Sequence, residues 1–268
     1  MKLYTFLLVL LTLPVCVHAD DVQLSNIITE DIEYQVDDTK LNGYLAYDSS
    51  IDKKRPGILV VHEWWGHNEY ARSRVEMLAE LGYVAFAVDM YGDGKLAQHP
   101  EDAGKFMNQV TKNMPLAEKR LAAALKVLNQ QAVTDSSKTA AIGYCFGGGM
   151  VLHLARIGAD IDGVVSFHGS LETQTPAKKD TVKARVLVLH GEEDPFIPPE
   201  QVDAFIEEMQ NAGVKYEFIG YPNVKHSFTN PQADEFSEKF NLSALEYNQH
   251  ADEDSWSRMQ MFFDQIFN

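Results

Sequence analysis

A single cysteine, Cys145, stands among glycines in the stretch Gly143-Tyr144-Cys145-Phe146-Gly147. Apolar, β-like residues precede it and helix-compatible residues follow it, so the pattern predicts a sharp turn from a strand into a helix. Glycines two residues before and after the cysteine relieve the steric crowding of such a turn. The N-terminal end of the helix directs free amides and the positive end of its dipole at the sulfur, which stabilises a thiolate. The pattern therefore favours a nucleophilic cysteine over a small buried apolar one.

A cysteine nucleophile needs a base, and the base needs a carboxylate that orients it. His226 lies in YPNVKHSF after the last predicted strand, and Asp194 lies in VLVLHGEEDPFIP after an earlier one. The chain order of nucleophile, acid and histidine matches one known arrangement of such triads. Glu192 and Glu193 are rival carboxylates in the same loop, and we predict that Asp194 is the partner of His226.

The stretch VVHEWWGHN holds several groups that could do chemistry. His62, Glu63 and His67 have the spacing His-Glu-x-x-x-His, one residue longer than the zinc pattern, and they follow a strand instead of lying on a helix. We therefore predict no metal and no other cofactor. A loop after an early strand can instead supply an amide to a developing oxyanion. Trp64 is the predicted donor, together with Phe146, and core packing is the alternative role of the two tryptophans.

Buried strands alternate with helices along the rest of the chain. An antiparallel hairpin is predicted over 32–47, and the apolar runs after it are typical of strands buried on both faces. These strands are predicted at 56–63, 83–92, 138–144, 161–169, 184–195 and 215–221, and helices at 69–82, 115–130, 147–158, 199–213 and 253–267. The alternation predicts one α/β domain with a mostly parallel sheet and helices on both faces. We expect the α/β-hydrolase fold with an N-terminal antiparallel hairpin and no large lid.

The N-terminal residues MKLYTFLLVLLTLPVCVHAD have the features of a secretory signal peptide. A lysine is followed by a short apolar run, and VHA resembles a cleavage site. We expect residues 1–19 to be removed and residues 20–268 to form the mature domain in the periplasm or outside the cell. An uncleaved membrane anchor is the alternative, but the apolar run is short for a bilayer span.

The acidic composition disfavours one class of partner. The formal net charge is −16 at pH 7, and such a surface repels phosphate backbones and anionic membranes. We therefore expect a small-molecule substrate, with no nucleic-acid partner and no stable membrane insertion, and the oligomeric state is not predicted. Removal of the signal peptide also removes Cys16, so Cys145 can form neither an internal disulfide nor a cysteine-rich metal site.

Taken together, the motifs resemble those of the dienelactone hydrolase family. HEWWGHN, DMYGDG, IGYCFGG, HGEEDPFIP and KHSF occur in the order and approximate spacing of that family, over essentially the whole mature chain. The resemblance implies Cys145 as nucleophile, His226 as base and Asp194 as the carboxylate that orients it. It also implies that Glu63 hydrogen-bonds the resting thiol and accepts its proton when substrate displaces it.

The chain departs from this family at two substrate-binding positions. Members that act on dienelactone have one arginine shortly after the Asp-x-Tyr segment and another just after the catalytic histidine, and both grip the substrate carboxylate. Here the two places read MYGD and HSFTN, without arginine, and Asp93 would repel an anionic lactone. We therefore expect a more apolar pocket, lined by Tyr91, Phe196 and Phe228.

The sequence thus predicts an exported hydrolase that cleaves carboxylic esters or lactones through a thioester acyl-enzyme. Two alternatives stay open at this point. The same machinery could serve a thioesterase or a small peptidase, or the chain could be a non-catalytic ligand-binding protein that keeps the fold. A panel of esters, lactones, thioesters and anilides distinguishes these functions, together with a search for a thioester adduct.

Overall fold

The computed structural model describes Met1 and residues 26–268, so the predicted signal peptide lies outside the described residues apart from Met1. The strands are β1 (Ile27–Val36), β2 (Thr39–Asp48), β3 (Arg55–Val61), β4 (Val84–Val88), β5 (Thr134–Tyr144), β6 (Gly163–Phe167), β7 (Arg185–Gly191) and β8 (Tyr216–Tyr221). The helices are α1 (Glu69–Glu80), α2 (Pro100–Thr111), α3 (Met114–Asn129), α4 (Phe146–Arg156), α5 (Pro199–Ala212), α6 (Ala233–Phe240) and α7 (Gln249–Phe267).

The eight strands form one sheet in the order β1-β2-β4-β3-β5-β6-β7-β8. The hairpin of β1 and β2 turns at Asp37, whose φ of 51° is the left-handed conformation that a tight turn requires. β2 is antiparallel to both of its neighbours, and the remaining pairs within residues 26–268 are parallel. The predicted sheet and its N-terminal hairpin are therefore confirmed.

Helices cover both faces of the sheet, which explains why the central strands are continuous apolar runs. β4 and β6 are buried along their whole length. α3, α4 and α5 pack on one face, where Leu121, Val151 and Phe205 belong to the same buried cluster. α1 and α7 pack on the other face through residues such as Val75 and Phe263. The two clusters are the apolar layers expected of this architecture.

The sequence did not predict α2 and α6, and it predicted α7 shorter than it is. Both missed helices are largely exposed: α2 buries Ala103 and Val110, and α6 buries Ala233. The connection from β6 to β7, residues 168–184, contains no helix, in agreement with the predicted lack of a large lid. None of the helices in the described part of the chain is long and apolar enough to cross a membrane.

The order in which successive strands are added to the sheet reverses at β3. The chain leaves β3 for β4 on one side and returns to β5 on the other, so β3 and β5 are parallel neighbours whose carboxyl ends lie together. Ligands of open α/β sheets bind in the crevice at such a point. Glu63 and Trp64 follow β3, and Cys145 follows β5, so the topology places them at this crevice.

Candidate active site

Cys145 lies at the junction of β5 and α4 in a strained backbone conformation. Its φ of 53° and ψ of −117° are rare for a residue with a side chain, and such strain is typical of functional turns. A Cβ at Gly143 would overlap the Gly147 carbonyl, and a Cβ at Gly147 would overlap the Val61 carbonyl. Glycine is therefore required on both sides of the turn. Cys145 itself is half-buried and not disulfide-bonded.

His226 and Asp194 meet from two different loops. His226 Nδ1 lies 2.6 Å from Asp194 Oδ2, and both side chains are buried. The other oxygen of Asp194 accepts a 2.9 Å hydrogen bond from the Phe196 amide, which fixes the carboxylate. Glu192 and Glu193 are exposed, so the structure brings Asp194 and neither rival carboxylate to the histidine.

Cys145 and Asp194 both influence the charge of the His226 ring. Burial disfavours the cationic imidazole, but Cys145 and Asp194 favour it and together raise the pKa of His226 from 6.5 to about 10. Since the hydrogen bond to Asp194 occupies Nδ1, Nε2 is the nitrogen left to exchange a proton with the sulfur or a leaving group. His226 thus contacts Asp194 directly, and Cys145 affects the same ring electrostatically.

Glu63 is held by the loop that contains His226. Ser227 Oγ donates to Glu63 Oε1 at 3.0 Å, and Asn230 Nδ2 donates to Glu63 Oε2 at 2.7 Å. Burial raises the pKa of Glu63 above its usual value, against the opposing effect of these hydrogen bonds. Within residues 26–268 no hydrogen bond joins Glu63 to Cys145, so the contact that the resemblance implies is not formed in this arrangement.

The amides of Trp64 and Phe146 lie in two loops that are tied together. Gly147 N donates to the His62 carbonyl at 3.1 Å, which joins the start of α4 to the loop after β3. The Tyr91 hydroxyl donates to the Trp64 carbonyl at 2.8 Å and fixes that peptide further. Neither the Trp64 nor the Phe146 amide donates to another group of the described chain. Both remain available to an oxyanion beside the nucleophile.

His168 supports the turn at Cys145 by a hydrogen bond to its backbone. Its Nδ1 accepts a 3.1 Å hydrogen bond from the Cys145 amide, so Nε2 carries the proton and donates to Thr229 Oγ1 at 2.8 Å. The pKa of His168 is far below 6.5 because burial disfavours the charged ring. His168, Ser227 and Asn230 are the site-forming residues that sequence reasoning missed, since no local pattern pairs residues so far apart.

A sequence profile of the dienelactone hydrolase family matches residues 41–267, which include this entire site. The chain belongs to that family. It is a hydrolase of the lactone or ester type, in keeping with the names of its relatives. Membership confirms the resemblance drawn from the motifs around Glu63 and Cys145.

Several dienelactone hydrolase relatives cover nearly the whole chain. The solved structure m3DLH is 36% identical, with a TM-score of 0.85 over 91% of this chain and 100% of its own. A dienelactone hydrolase-like promiscuous phosphotriesterase from metagenomic libraries is 31% identical, with a TM-score of 0.84 over 90% of this chain and 99% of its own. Protein usf of Aquifex pyrophilus is 28% identical over 87% of this chain and 96% of its own.

The three predicted pocket residues occupy different environments. Phe196 is 52% exposed, and its ring meets the His226 ring edge-on at 5.0 Å, so it borders the site. Tyr91 is nearly buried and holds the Trp64 loop, as described above. The prediction that Phe228 lines the pocket is wrong, because its side chain is fully buried between His168 and Tyr221.

His62 and Trp65, on either side of Glu63 and Trp64, are engaged in hydrogen bonds and packing. His62 Nδ1 donates to the Glu63 carbonyl, and His62 Nε2 accepts from the Met90 amide at 3.3 Å, so both ring nitrogens are occupied. Trp65 is buried against Phe236, as the packing alternative anticipated. Among the described residues, no group of three or more His, Cys, Asp or Glu side chains could hold a metal ion.

Proposed function

We propose that this dienelactone hydrolase family member is an exported enzyme that cleaves uncharged carboxylic esters or lactones through a thioester on Cys145. The proposal rests on His226, which is hydrogen-bonded to Asp194 and electrostatically influenced by Cys145. Cys145 itself lies at a strained strand-to-helix turn. A buried carboxylate, an imidazole and a thiol in this order form a nucleophile with its base and orienting acid.

The first half of the reaction forms the acyl-enzyme. The Cys145 sulfur attacks the carbonyl carbon of the ester while His226 Nε2 holds the proton, in keeping with the raised pKa of that imidazole. Negative charge develops on the carbonyl oxygen, which the Trp64 and Phe146 amides stabilise. The C–O bond to the alcohol then breaks, and His226 gives its proton to the departing oxygen. An alcohol leaves and a thioester remains on Cys145.

The second half returns the enzyme to its starting state. His226 removes a proton from a water molecule, and the resulting hydroxide attacks the thioester carbon. The same two amides stabilise the second oxyanion. The C–S bond breaks, a carboxylic acid leaves, and the proton taken from water stays on His226 Nε2 beside the freed sulfur. In both halves Glu63 joins the loop of His226 to the loop of Trp64, and so positions the base relative to the amide.

Hydrolysis of p-nitrophenyl acetate tests the proposal. Cys145→Ala should reduce kcat/KM by roughly 10³-fold or more, because it removes the only group that forms the acyl bond. Gly104→Ala, on exposed α2 with no atom within 4 Å of the added carbon, serves as the control and should keep full activity. Equal rates for wild type and Cys145→Ala would refute the proposal.

A second hydrolytic activity is suggested by the relative that is a promiscuous phosphotriesterase, at 31% identity. A thiolate that attacks a carbonyl carbon can also attack the phosphorus of a neutral triester and displace an alcohol. Thioesters and anilides complete the panel, since the sequence left thioesterase and peptidase functions open. A ligand-binding protein without catalysis would turn over none of these substrates.

Export is the remaining part of the proposal. It is supported by the lysine, short apolar run and VHA pattern at the N-terminus. Expression of the full chain in a Gram-negative host, with fractionation and N-terminal sequencing, tests it. The mature protein should lie in the periplasm and begin after Ala19. Full-length protein in the cytoplasm would contradict export without affecting the enzymatic proposal.

A further inference from the structure

A cleft of about 410 Å³ opens beside the nucleophile turn. Its floor is one face of α4, formed by Phe146, Gly149, Met150, His153 and Arg156. The volume lies in the range of small-molecule pockets. Phe146 connects this cleft to the reaction centre, because its amide is a proposed oxyanion donor and its side chain lines the cleft. The cleft therefore begins at the residue that directly follows Cys145.

The walls of the cleft are apolar and adaptable near the nucleophile. Met107 from α2, Met114 from α3 and Met150 from α4 face it together with Phe146. Methionine side chains are flexible and polarisable, so they adjust to alkyl and aryl groups of different shape. The outer part of the cleft, by contrast, is formed by the polar segment 170–175 after β6.

None of the charged groups that line the cleft has an unpaired positive charge for an anionic ligand. Arg156 donates from Nε and Nη2 to the two oxygens of Glu208, each at 2.8 Å, so its charge is already paired. His153 Nε2 lies 2.8 Å from Glu118 Oε1. Glu172 is exposed at the cleft and forms no ion pair among the residues described here. A substrate with a carboxylate would meet the negative charge of Glu172 and no unpaired cation among the lining residues.

Gly149 differs from the three glycines before it in having room for a side chain. Added carbons at Gly143, Gly147 and Gly148 would overlap neighbouring atoms, whereas the nearest atom to one at Gly149 is Ser170 Cβ at an ordinary 3.4 Å. Packing therefore does not require glycine at this position. Glycine is nevertheless a poor residue inside a helix. What it provides here is open space in the floor of the cleft.

We propose that the cleft binds the acyl group of an uncharged ester, an alkyl or aryl chain, and that Gly149 sets the size of the chain that fits. This inference rests on the proposed function. The acyl side is assigned because His226 must protonate the leaving oxygen, so the alcohol departs on the side of Asp194 and Phe196. The cleft is lined by α2, α3, α4 and the segment after β6, away from that side.

The test compares p-nitrophenyl acetate, butyrate and hexanoate with the p-nitrophenyl monoester of glutaric acid. In the wild type, kcat/KM should rise about 4-fold for each methylene that enters the cleft. The glutarate ester, which is similar in length to the hexanoate but ends in a carboxylate, should react more slowly than the neutral esters. Equal rates for neutral and anionic esters would overturn the assignment to uncharged substrates.

Two variants narrow the cleft from two different helices, α4 and α3. Gly149→Leu fills its floor, and Met114→Trp narrows it from α3, far along the chain from the nucleophile turn. Each should lower the ratio of kcat/KM for hexanoate to that for acetate by about 10-fold. Gly104→Leu is the matched glycine-to-leucine control: Gly104 lies on α2 but is not among the residues that line the cleft, and no atom lies within 4 Å of the added carbon. It should leave this ratio unchanged.

The outcomes separate this inference from the proposed function. If both narrowing variants keep the wild-type ratio, or lose activity equally on all three esters, the cleft does not bind the acyl chain. In either case, acetate turnover by the wild type that is lost in Cys145→Ala still supports the proposed function. If the wild type lacks that turnover, the proposed function fails and the inference fails with it.

Discussion

Asn230 donates a 2.7 Å hydrogen bond to Glu63, and both side chains are almost completely buried. Asn230 belongs to the loop that contains His226, between β8 and α6, whereas Glu63 precedes Trp64 in the loop after β3. The contact therefore joins the element that holds the base to the element that holds a proposed oxyanion donor. Asn230 lies in the segment HSFTN, where the resemblance led us to look for a substrate-binding arginine, and its side chain binds Glu63.

Asn230→Ala should destabilise the protein in a pH-dependent way. Loss of the donor leaves a buried carboxylate oxygen unsatisfied, which costs about 1–3 kcal/mol. Asn230 lowers the pKa of Glu63, which burial raises, so its removal raises that pKa further. The variant then binds more protons when folded, and its deficit in unfolding free energy should grow as pH rises above about 4.5. Urea unfolding at pH 4.5 and pH 8 measures this. Equal deficits at both values would contradict the role assigned to the contact.

Asp194→Asn should reduce kcat by roughly 10²–10⁴-fold, because the amide no longer fixes the orientation and charge of His226. Glu193→Gln is the matched control, since that carboxylate precedes Asp194 directly but points to solvent. It should stay within about 2-fold of wild type, as expected for a surface change away from the site. Similar losses of kcat in the two variants would show that activity depends on the loop and not on the buried carboxylate of Asp194.

Cys145→Ala should lower the pKa of His226, because the sulfur is the strongest of the groups that raise it to about 10. The change can be followed by NMR titration of the imidazole. The raised pKa stabilises the folded protein below pH 6.5, and this contribution is lost as pH rises from 6.5 through about 10. Cys145→Ala should therefore flatten the decline in stability over that range. An unchanged His226 titration would mean that sulfur and ring do not interact.

Two neighbouring glycines of α4 should respond in opposite directions to alanine. Gly147→Ala forces a methyl group against the Val61 carbonyl and should cost about 1–3 kcal/mol or more. Gly149→Ala meets Ser170 only at ordinary contact distances and should raise the unfolding free energy by about 0.5–1 kcal/mol, because alanine favours the helix. Urea unfolding of both variants checks this, and a loss of stability in both would contradict the packing described for Gly149.

The fold was predictable because its buried strands and most of its helices have strong hydrophobic patterns in the sequence. Apolar runs marked the buried strands, and periodic apolar positions marked the helices that cover them. α2 and α6 gave no such signal, since each buries very few residues. The sequence could not show that Phe228 turns into the core. Ser227, with a φ of 58°, redirects the chain there, and alternation along a loop does not predict such a turn.

The triad was predictable from chain order, since each member follows a strand whose carboxyl end lies at one edge of the sheet. The partners of Glu63 were not, because Ser227 and Asn230 lie more than 160 residues away along the chain. The hydrogen bond from the Cys145 amide to His168 could not be predicted from the sequence either. Such contacts depend on how loops fold over the site, and the sequence alone did not predict that arrangement.

The most direct test of the central claim is to trap the acyl-enzyme. Wild-type protein mixed with p-nitrophenyl acetate, quenched in acid and digested, should contain one acetyl group on the peptide with Cys145, and nitrophenol should be released in a burst equal to the enzyme present. Hydroxylamine should remove the acetyl group, as expected of a thioester. Steady turnover without a burst, with no acetyl group on Cys145, would contradict the account.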